Sequence, residues 1–406
     1  MEMTTPFKLF ELKPKARDRI LLLMDPIHLL FFHQIANKAT KEVITSLCKK
    51  NQNIEISINF DVHGRRDKRG QRFDKNAKYL VSLQGNGHQD FIYLMEEKFI
   101  GEKNVDLVFG DHKVPCIFKK YVKPEKGDVG SFDQLFHSSE MKRPFHRQVI
   151  LTYWNYELFD AVLDLADYFS EVFATPITEL INSRTMSVWK FRRAIQWLIS
   201  RQSSIKRIDY LHNELSDADI SMFFGNCNVT ERLTICMKDN DRIRHHRYFD
   251  LDTLKIGMAS WVTIDYLLDM DCIFFRISGA NMTSFDCNRF IKSWLNGTNY
   301  RLEIISMFCG QILERGDVLD GLETRHRSGY LVERFKNHKV GGSTFEFCIR
   351  GGFDVQREDG KLATVDTSMM ERGLFLFVVW TEDEISEGFR RQESEGTDGD
   401  VGCTLL

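Results

Sequence analysis

The sequence predicts an α+β fold: three N-terminal helices, a β-rich region, then an irregular leucine-rich-repeat-like β/α domain closed by a C-terminal β-hairpin region. Three observations carry this expectation. Apolar residues recur at helical spacing between 14 and 49, and from 52 the spacing changes to short alternating runs. Between 205 and 310, an apolar-x-x-apolar-x-apolar pattern returns with starts near 205, 230, 251, 272 and 302, separated by helical stretches. On these signals the chain divides into 1–50 (helical), 51–122 (β-rich), 123–148 (linker), 149–382 (β/α with closing strands) and 383–406 (tail).

The first helix carries the stripe Ala16, Ile20, Leu21 and Met24 and should end near Leu23–Met24, because the residue before Pro26 avoids the helical region. Asp25 is a good N-cap, and Pro26 suits the first turn of a second helix, where its missing N–H costs nothing. That helix bears Ile27, Leu29, Leu30, Phe31, Phe32 and Ile35, which spread around most of its circumference. Two thin neighbours cannot cover such a wheel. Either the rest of the chain buries the remainder, or another protein does. A third helix over 38–49 has Ala39, Val43, Ile44 and Leu47 on one side.

Runs at 53–62, 78–87, 91–98 and 105–122, split by Gly, Asn and Asp, predict antiparallel strands. The basic interval 63–72 between two of them is expected to be a solvated loop. Pro124, Gly127, Gly130 and Pro144 mark the linker. A long helix follows, with Leu158, Val162, Leu165, Phe169 and Phe173 in one stripe, stopped by Pro176. In the repeating region, strands starting at Ile205, Leu251, Cys272 and Leu302, with an imperfect copy at Leu233-Ile235, alternate with helices at 216–224, 261–268 and 285–295. A curved parallel sheet with helices behind it fits this pattern; a plain α/β domain with coincidental spacing is the alternative. Asp359-Gly360 between alternating runs signals a hairpin.

With 43% hydrophobic residues and 32 Phe, the chain has material for a sizeable core. A net charge of −3 gives no argument for nucleic acid or an anionic membrane. No run approaches the ~18 apolar residues of a membrane span. The start lacks a signal-peptide plan, so an intracellular location, cytoplasmic or nuclear, is expected. The nine cysteines are scattered without C-x-x-C pairing, which suggests neither zinc nor a disulfide framework. The Asn228, Asn281 and Asn296 sequons are then read as accidental.

Residues 7–29 resemble the F-box of nematode F-box proteins. Phe7, Leu9, Leu12, Ile20, Leu21, Met24, Asp25, Pro26, Ile27 and Leu29 fall on its pattern. Two positions depart from it: Leu12-Lys13-Pro14 puts the proline one place late, and His28 replaces the usual Glu. A second resemblance, to the type 2 F-box-associated region, rests on Trp294, Gly297, Asn299, Leu302 and Glu303. It continues through Asp354, Arg357, Asp359, Gly360, Ala363, Thr364, Val378, Val379 and Trp380. The resemblance covers about 7–47 and 150–380. It implies a substrate-recognition subunit of a Skp-cullin-F-box ubiquitin ligase, with Phe7, Leu9, Leu12, Pro14, Ile20, Leu21, Met24, Pro26, Leu29 and Phe32 as adaptor contacts. A protein substrate would bind the larger domain. The alternative is an interaction scaffold acting outside ubiquitination.

No catalytic constellation emerges: no phosphate-binding Gly-x-x-x-x-Gly-Lys, no H-E-x-x-H and no Gly-x-Ser-x-Gly. The chain is expected not to be an enzyme, and to need no cofactor or metal. His245-His246 lacks ligand-spaced partners, and Trp189, Trp197, Trp261 and Trp294 fall on apolar helix faces as core. Cys403-Thr404-Leu405-Leu406 has the length of a geranylgeranylation signal, but Thr404 is not aliphatic and acidic residues precede it. Alternation along the repeat strands puts Asp209, Thr234, Lys255, Arg276 and Ser306 in one outward row, with Arg207, Arg232, Thr253, Phe274 and Ile304 beside it. Asp209, Thr234, Lys255, Phe274, Arg276 and Ser306 are therefore the candidate substrate-binding residues, unless the linker or the C-terminal hairpin covers that face.

Overall fold

The computed structural model describes residues 12–382 apart from 25, 36–37, 52–53, 61–76, 86–87, 96–104, 121–146, 183–185, 211–217, 219–224, 237–250, 328–332 and 341–342. The chain forms two compact units, one of residues 1–130 and 143–205, the other of 131–142 and 206–406. Phe7, Leu9, Asp25, the basic interval 63–72, His245-His246 and the tail with Cys403 lie outside the described residues, as does nearly all of the expected helix at 216–224.

The first unit opens with α1 (Pro14–Leu23), α2 (Pro26–Ile35) and α3 (Lys38–Asn51). Pro14 occupies the first turn of α1, and Met24 at its end is extended. The strands are β1 (Glu55–Asn59), β2 (Ala77–Gly85), β3 (His88–Met95), β4 (Val105–Phe109), β5 (His112–Lys120), β6 (Arg147–Tyr153) and β7 (Ile177–Asn182), with α4 (Leu158–Phe173) and α5 (Val188–Arg201). Their order is β7-β1-β2-β3-β6-β5-β4. Residues 147–201, expected as the start of the later domain, are tied to this unit instead: β6 pairs parallel with β3, and β7 pairs parallel with β1. Helix α4 buries Phe159, Val162, Leu165, Phe169 and Phe173 against β1–β3 and α3. It ends at Ala174 in the left-handed region, two residues before Pro176.

The second unit contains β8 (Ser204–Tyr210, whose first two residues belong to the first unit), β9 (Asn228–Cys236), β10 (Thr253–Gly257), α6 (Ile264–Leu268), β11 (Phe274–Ala280), α7 (Ser284–Leu295) and β12 (Ile304–Cys309). Then come α8 (Arg315–Val318), β13 (Arg325–Arg327), β14 (Glu333–Val340), β15 (Ser343–Arg350), β16 (Gly352–Gln356), β17 (Leu362–Asp366) and β18 (Leu374–Trp380). Strands β9 to β12 are mutually parallel. From β12 the sheet continues antiparallel through β18, β17 and β16 to β13. Helix α7 begins with a full capping box, Thr283 and Asp286 each satisfying the other's backbone N–H. The architecture is a mixed α+β fold. A leucine-rich-repeat solenoid is not supported, because the parallel run is continued by antiparallel strands rather than by further copies of the same unit.

Candidate interaction surfaces

Three residues of the α2 wheel are covered from within the chain, and Phe32 is half-buried. Ile27, Leu29 and Leu30 are buried, and α2 packs on β2 and β3. The Ile27 N–H donates to an Asp90 carboxylate oxygen on β3 at 3.2 Å, and the Gln34 amide donates to the Val108 carbonyl at 2.8 Å. Among the expected adaptor contacts, Leu21, Pro26 and Leu29 therefore belong to the chain's own core. Leu12, Ile20, Met24 and Phe32 are half-buried and Pro14 is exposed. Among the described residues of this unit the most exposed large apolar side chain is Leu23, at 73%. Sequence reasoning passed over it, although an apolar residue off the Ala16–Ile20–Met24 stripe was the available signal.

In the second unit the expected row forms from Thr234 to Ser306. Lys255 pairs in register with Thr234 on one side and with Arg276 on the other, and Arg276 with Ser306. The adjacent row aligns Arg232, Thr253, Phe274 and Ile304. The face is not open, however, and this corrects the expectation of an exposed binding surface. Asp209, Thr234, Lys255 and Arg276 are 6–9% exposed, and Phe274 and Ile304 are fully covered. Ile349 of β15 joins Phe274, Ile304, Val378 and Trp380 in one cluster, so the β14–β15 hairpin supplies cover, not the hairpin at Asp359-Gly360, whose strands are part of the sheet. Charges on this face answer one another across strands: Arg207 meets Glu231 at 3.2 Å and Arg232 meets Asp209 at 3.2 Å. Burial lowers the Arg276 guanidinium pKa from its ordinary value.

The residues of the second resemblance prove to be joints of the architecture. Arg357 is buried, lies over the Trp294 ring at 4.8 Å, and grips Asp359 with two hydrogen bonds of 2.9 and 2.6 Å. Gly360 takes φ +89°, which the Asp-Gly turn requires and few other residues tolerate. Asn299 is buried at φ +46°, and its amide donates to the carbonyls of Leu267 and Met270 at the end of α6. The Trp380 indole donates to the Thr364 hydroxyl, which donates to Asp354 at 2.7 Å.

Among the described residues no group of three or more metal-ligating side chains occurs, and no helix is long and apolar enough to cross a membrane. The described cysteines are free thiols. Trp197, Trp261 and Trp294 are core, whereas Trp189 is 54% exposed. It corrects the expectation for all four. Trp189 flanks Lys190, whose ammonium also faces the rings of Tyr79 and Phe159 and pairs with Glu157 at 2.9 Å.

Comparison with known proteins adds three findings. Residues 244–307 match the family model described as F-box associated, a stretch that includes β10, α6, β11, α7 and the start of β12. An uncharacterized protein of Caenorhabditis elegans, F59B2.8, is 21% identical over 391 residues, spanning 94% of this chain and 79% of that protein. A second from the same organism, F59B2.9, is 24% identical over 177 residues, 42% of this chain and 41% of its own length. No solved structure matches. The stretch that matches the F-box-associated model coincides with the parallel core of the second unit.

Proposed function

We propose that this chain is the substrate-recognition subunit of a Skp-cullin-F-box ubiquitin ligase, working in the cytoplasm or nucleus. The observation that carries the reading is the F-box-associated match over 244–307, a family of substrate-interaction rather than catalytic domains, in a chain whose first helices follow the F-box pattern. In this reading the exposed and half-buried residues in and flanking α1 and α2, namely Leu12, Pro14, Ile20, Leu23, Met24 and Phe32, meet a Skp-type adaptor. The second unit holds a protein substrate. The chain performs no bond chemistry; it raises the effective concentration of substrate lysines near a charged conjugating enzyme.

The test is affinity capture of the full chain from nematode cells treated with a proteasome inhibitor. Co-capture of adaptor and cullin, lost in Leu23→Asp, is expected. Capture of neither partner refutes the reading. A second reading, a scaffold outside ubiquitination, is favoured by the burial of Leu21, Pro26 and Leu29 within the chain itself, which leaves less apolar area for an adaptor. Capture of an adaptor without cullin would select it.

A further inference from the structure

On the helix side of the second unit's sheet, one row of residues runs strand to strand by direct pairing. Leu254 on β10 pairs with Phe275, Phe275 with Ile305, Ile305 with Phe377 and Phe377 with Val365. All five are 0% exposed. The row then continues to Phe353 on β16 and His326 on β13, which pair with each other. Here the cover ends: Phe353 is half-buried and His326 exposed. An apolar row that elsewhere is sealed opens to solvent over its last two strands.

The opening is a shallow cleft, largely open to solvent, of ≈ 410 Å³ lined by Arg315, Gly316 and Leu319 beside and within α8, with His326 and Phe353 on the sheet. Phe353 makes its floor. The His326 ring lies 4.8 Å from the Phe353 ring, and the Arg315 guanidinium stands 5.8 Å over the same ring. The lining has two basic side chains and no acidic one. Five arginines of this unit are ion-paired, Arg207 with Glu231, Arg232 with Asp209, Arg289 with Asp265, Arg301 with Asp252 and Arg357 with Asp359, whereas the exposed Arg325 and Arg372 have no ion pair among the described residues. Among the described residues Arg315 has no ion-pair partner, although Glu314 and Asp317 neighbour it in the chain. An unpaired guanidinium fixed over an aromatic ring presents donors suited to a planar anion.

We infer that this cleft binds an acidic side chain of a peptide segment, its carboxylate held between Arg315 and His326 and its stem on Phe353. This deepens the substrate-recognition reading and rests on it for the identity of the partner as a substrate. Two further features suit a peptide. β13 ends the order of this unit's sheet, and among the described residues nothing pairs with its other side, so an extended segment can add to it. Ile312, three residues before Arg315, is 62% exposed, and Phe285 is 67% exposed. The segments bearing them are clamped together by Glu314 N–H to Ser284 Oγ at 2.8 Å and by the Gln311 amide to the Met282 carbonyl at 2.9 Å. A carboxylate is favoured over a phosphate because only one arginine lines the cleft. Arg325 alternates to the opposite face of β13, and phosphate sites are built from arginine clusters.

The experiment is fluorescence polarisation of the full purified chain with degenerate heptapeptide pools. Their central residue is fixed as Glu, Gln, phosphoserine or Lys. The Glu pool should bind about tenfold or more tighter than the Gln and Lys pools, a ratio worth about 1.4 kcal/mol. Arg315→Gln should abolish that preference, and Arg315→Glu with His326→Glu should turn it toward Lys. Circular dichroism and thermal unfolding verify that the variants fold. Equal binding of the Glu and Gln pools, or an undiminished preference in folded Arg315→Gln, overturns the inference. A phosphoserine pool that outcompetes Glu overturns the carboxylate assignment. Adaptor capture in the same Arg315→Gln chain should be unchanged, so loss of the ligase reading and loss of the cleft register separately.

Discussion

At the residue scale, the positions that carry the second resemblance earn their place by geometry. Asn299 combines a left-handed backbone with two donor hydrogen bonds to the end of α6. Asn299→Gly keeps the backbone relaxed and removes only the amide, leaving two carbonyls to other partners, at about 1–3 kcal/mol. Asn299→Ala adds a left-handed alanine and should cost about 1 kcal/mol more. Urea unfolding of both variants checks the order; Gly as costly as Ala would remove the backbone argument. Asp359 offers a pH reading. The Arg357 guanidinium bonded to it holds its carboxyl at about 2, against an ordinary 3.8. A depressed carboxyl stabilises the fold above its unfolded pKa and loses that contribution as pH falls through the folded one. The stability gap between the natural chain and Asp359→Asn should therefore be constant above about pH 5, shrink as pH falls through the unfolded and folded values, and close only by about pH 1. A gap that does not change over that range would place the carboxylate's effect elsewhere.

At the element scale, local signals were legible and long-range cover was not. The end of α1 and the start of α2 follow from Pro26, α3 follows from its apolar stripe, and the row Thr234-Lys255-Arg276-Ser306 follows from alternation within the repeating strands. What lies on top of each was not legible. The strands that bury α2 come more than forty residues later, and β15, which supplies Ile349, follows β12 by more than thirty. Periodicity states which face wants cover, never which segment provides it. The cleft at Arg315 escaped the sequence for the same reason, since α8, β13 and β16 meet only through the sheet. The hairpin's role is testable. Ile349→Ala removes a buried side chain from the Phe274–Ile304–Trp380 cluster and should cost about 2–5 kcal/mol in urea unfolding. A cost near zero would mean that the hairpin rests on this face without packing into it.

At the scale of the whole molecule, two units with their own cores permit a division of labour that substitutions can separate. Leu30 is fully buried within the first unit and Leu23 is 73% exposed on its surface. Leu30→Asp strands a carboxylate in the α2 core, a cost above about 4 kcal/mol, and should destroy soluble expression or adaptor capture through loss of the fold. Leu23→Asp places the same charge in water and should leave thermal unfolding within about 2 °C of the natural chain, as surface changes do. On the proposed function it nevertheless loses adaptor capture, while binding of the Glu-centred peptide pool by the second unit is retained. Arg315→Gln should give the reverse pattern, with capture intact and peptide preference gone. Measured side by side, the two variants ask whether docking and recognition reside in different units. If Leu23→Asp captures the adaptor as well as the natural chain does, α1 is not the docking element. If it loses both activities while still folded, the functions are not separable along the line between the units.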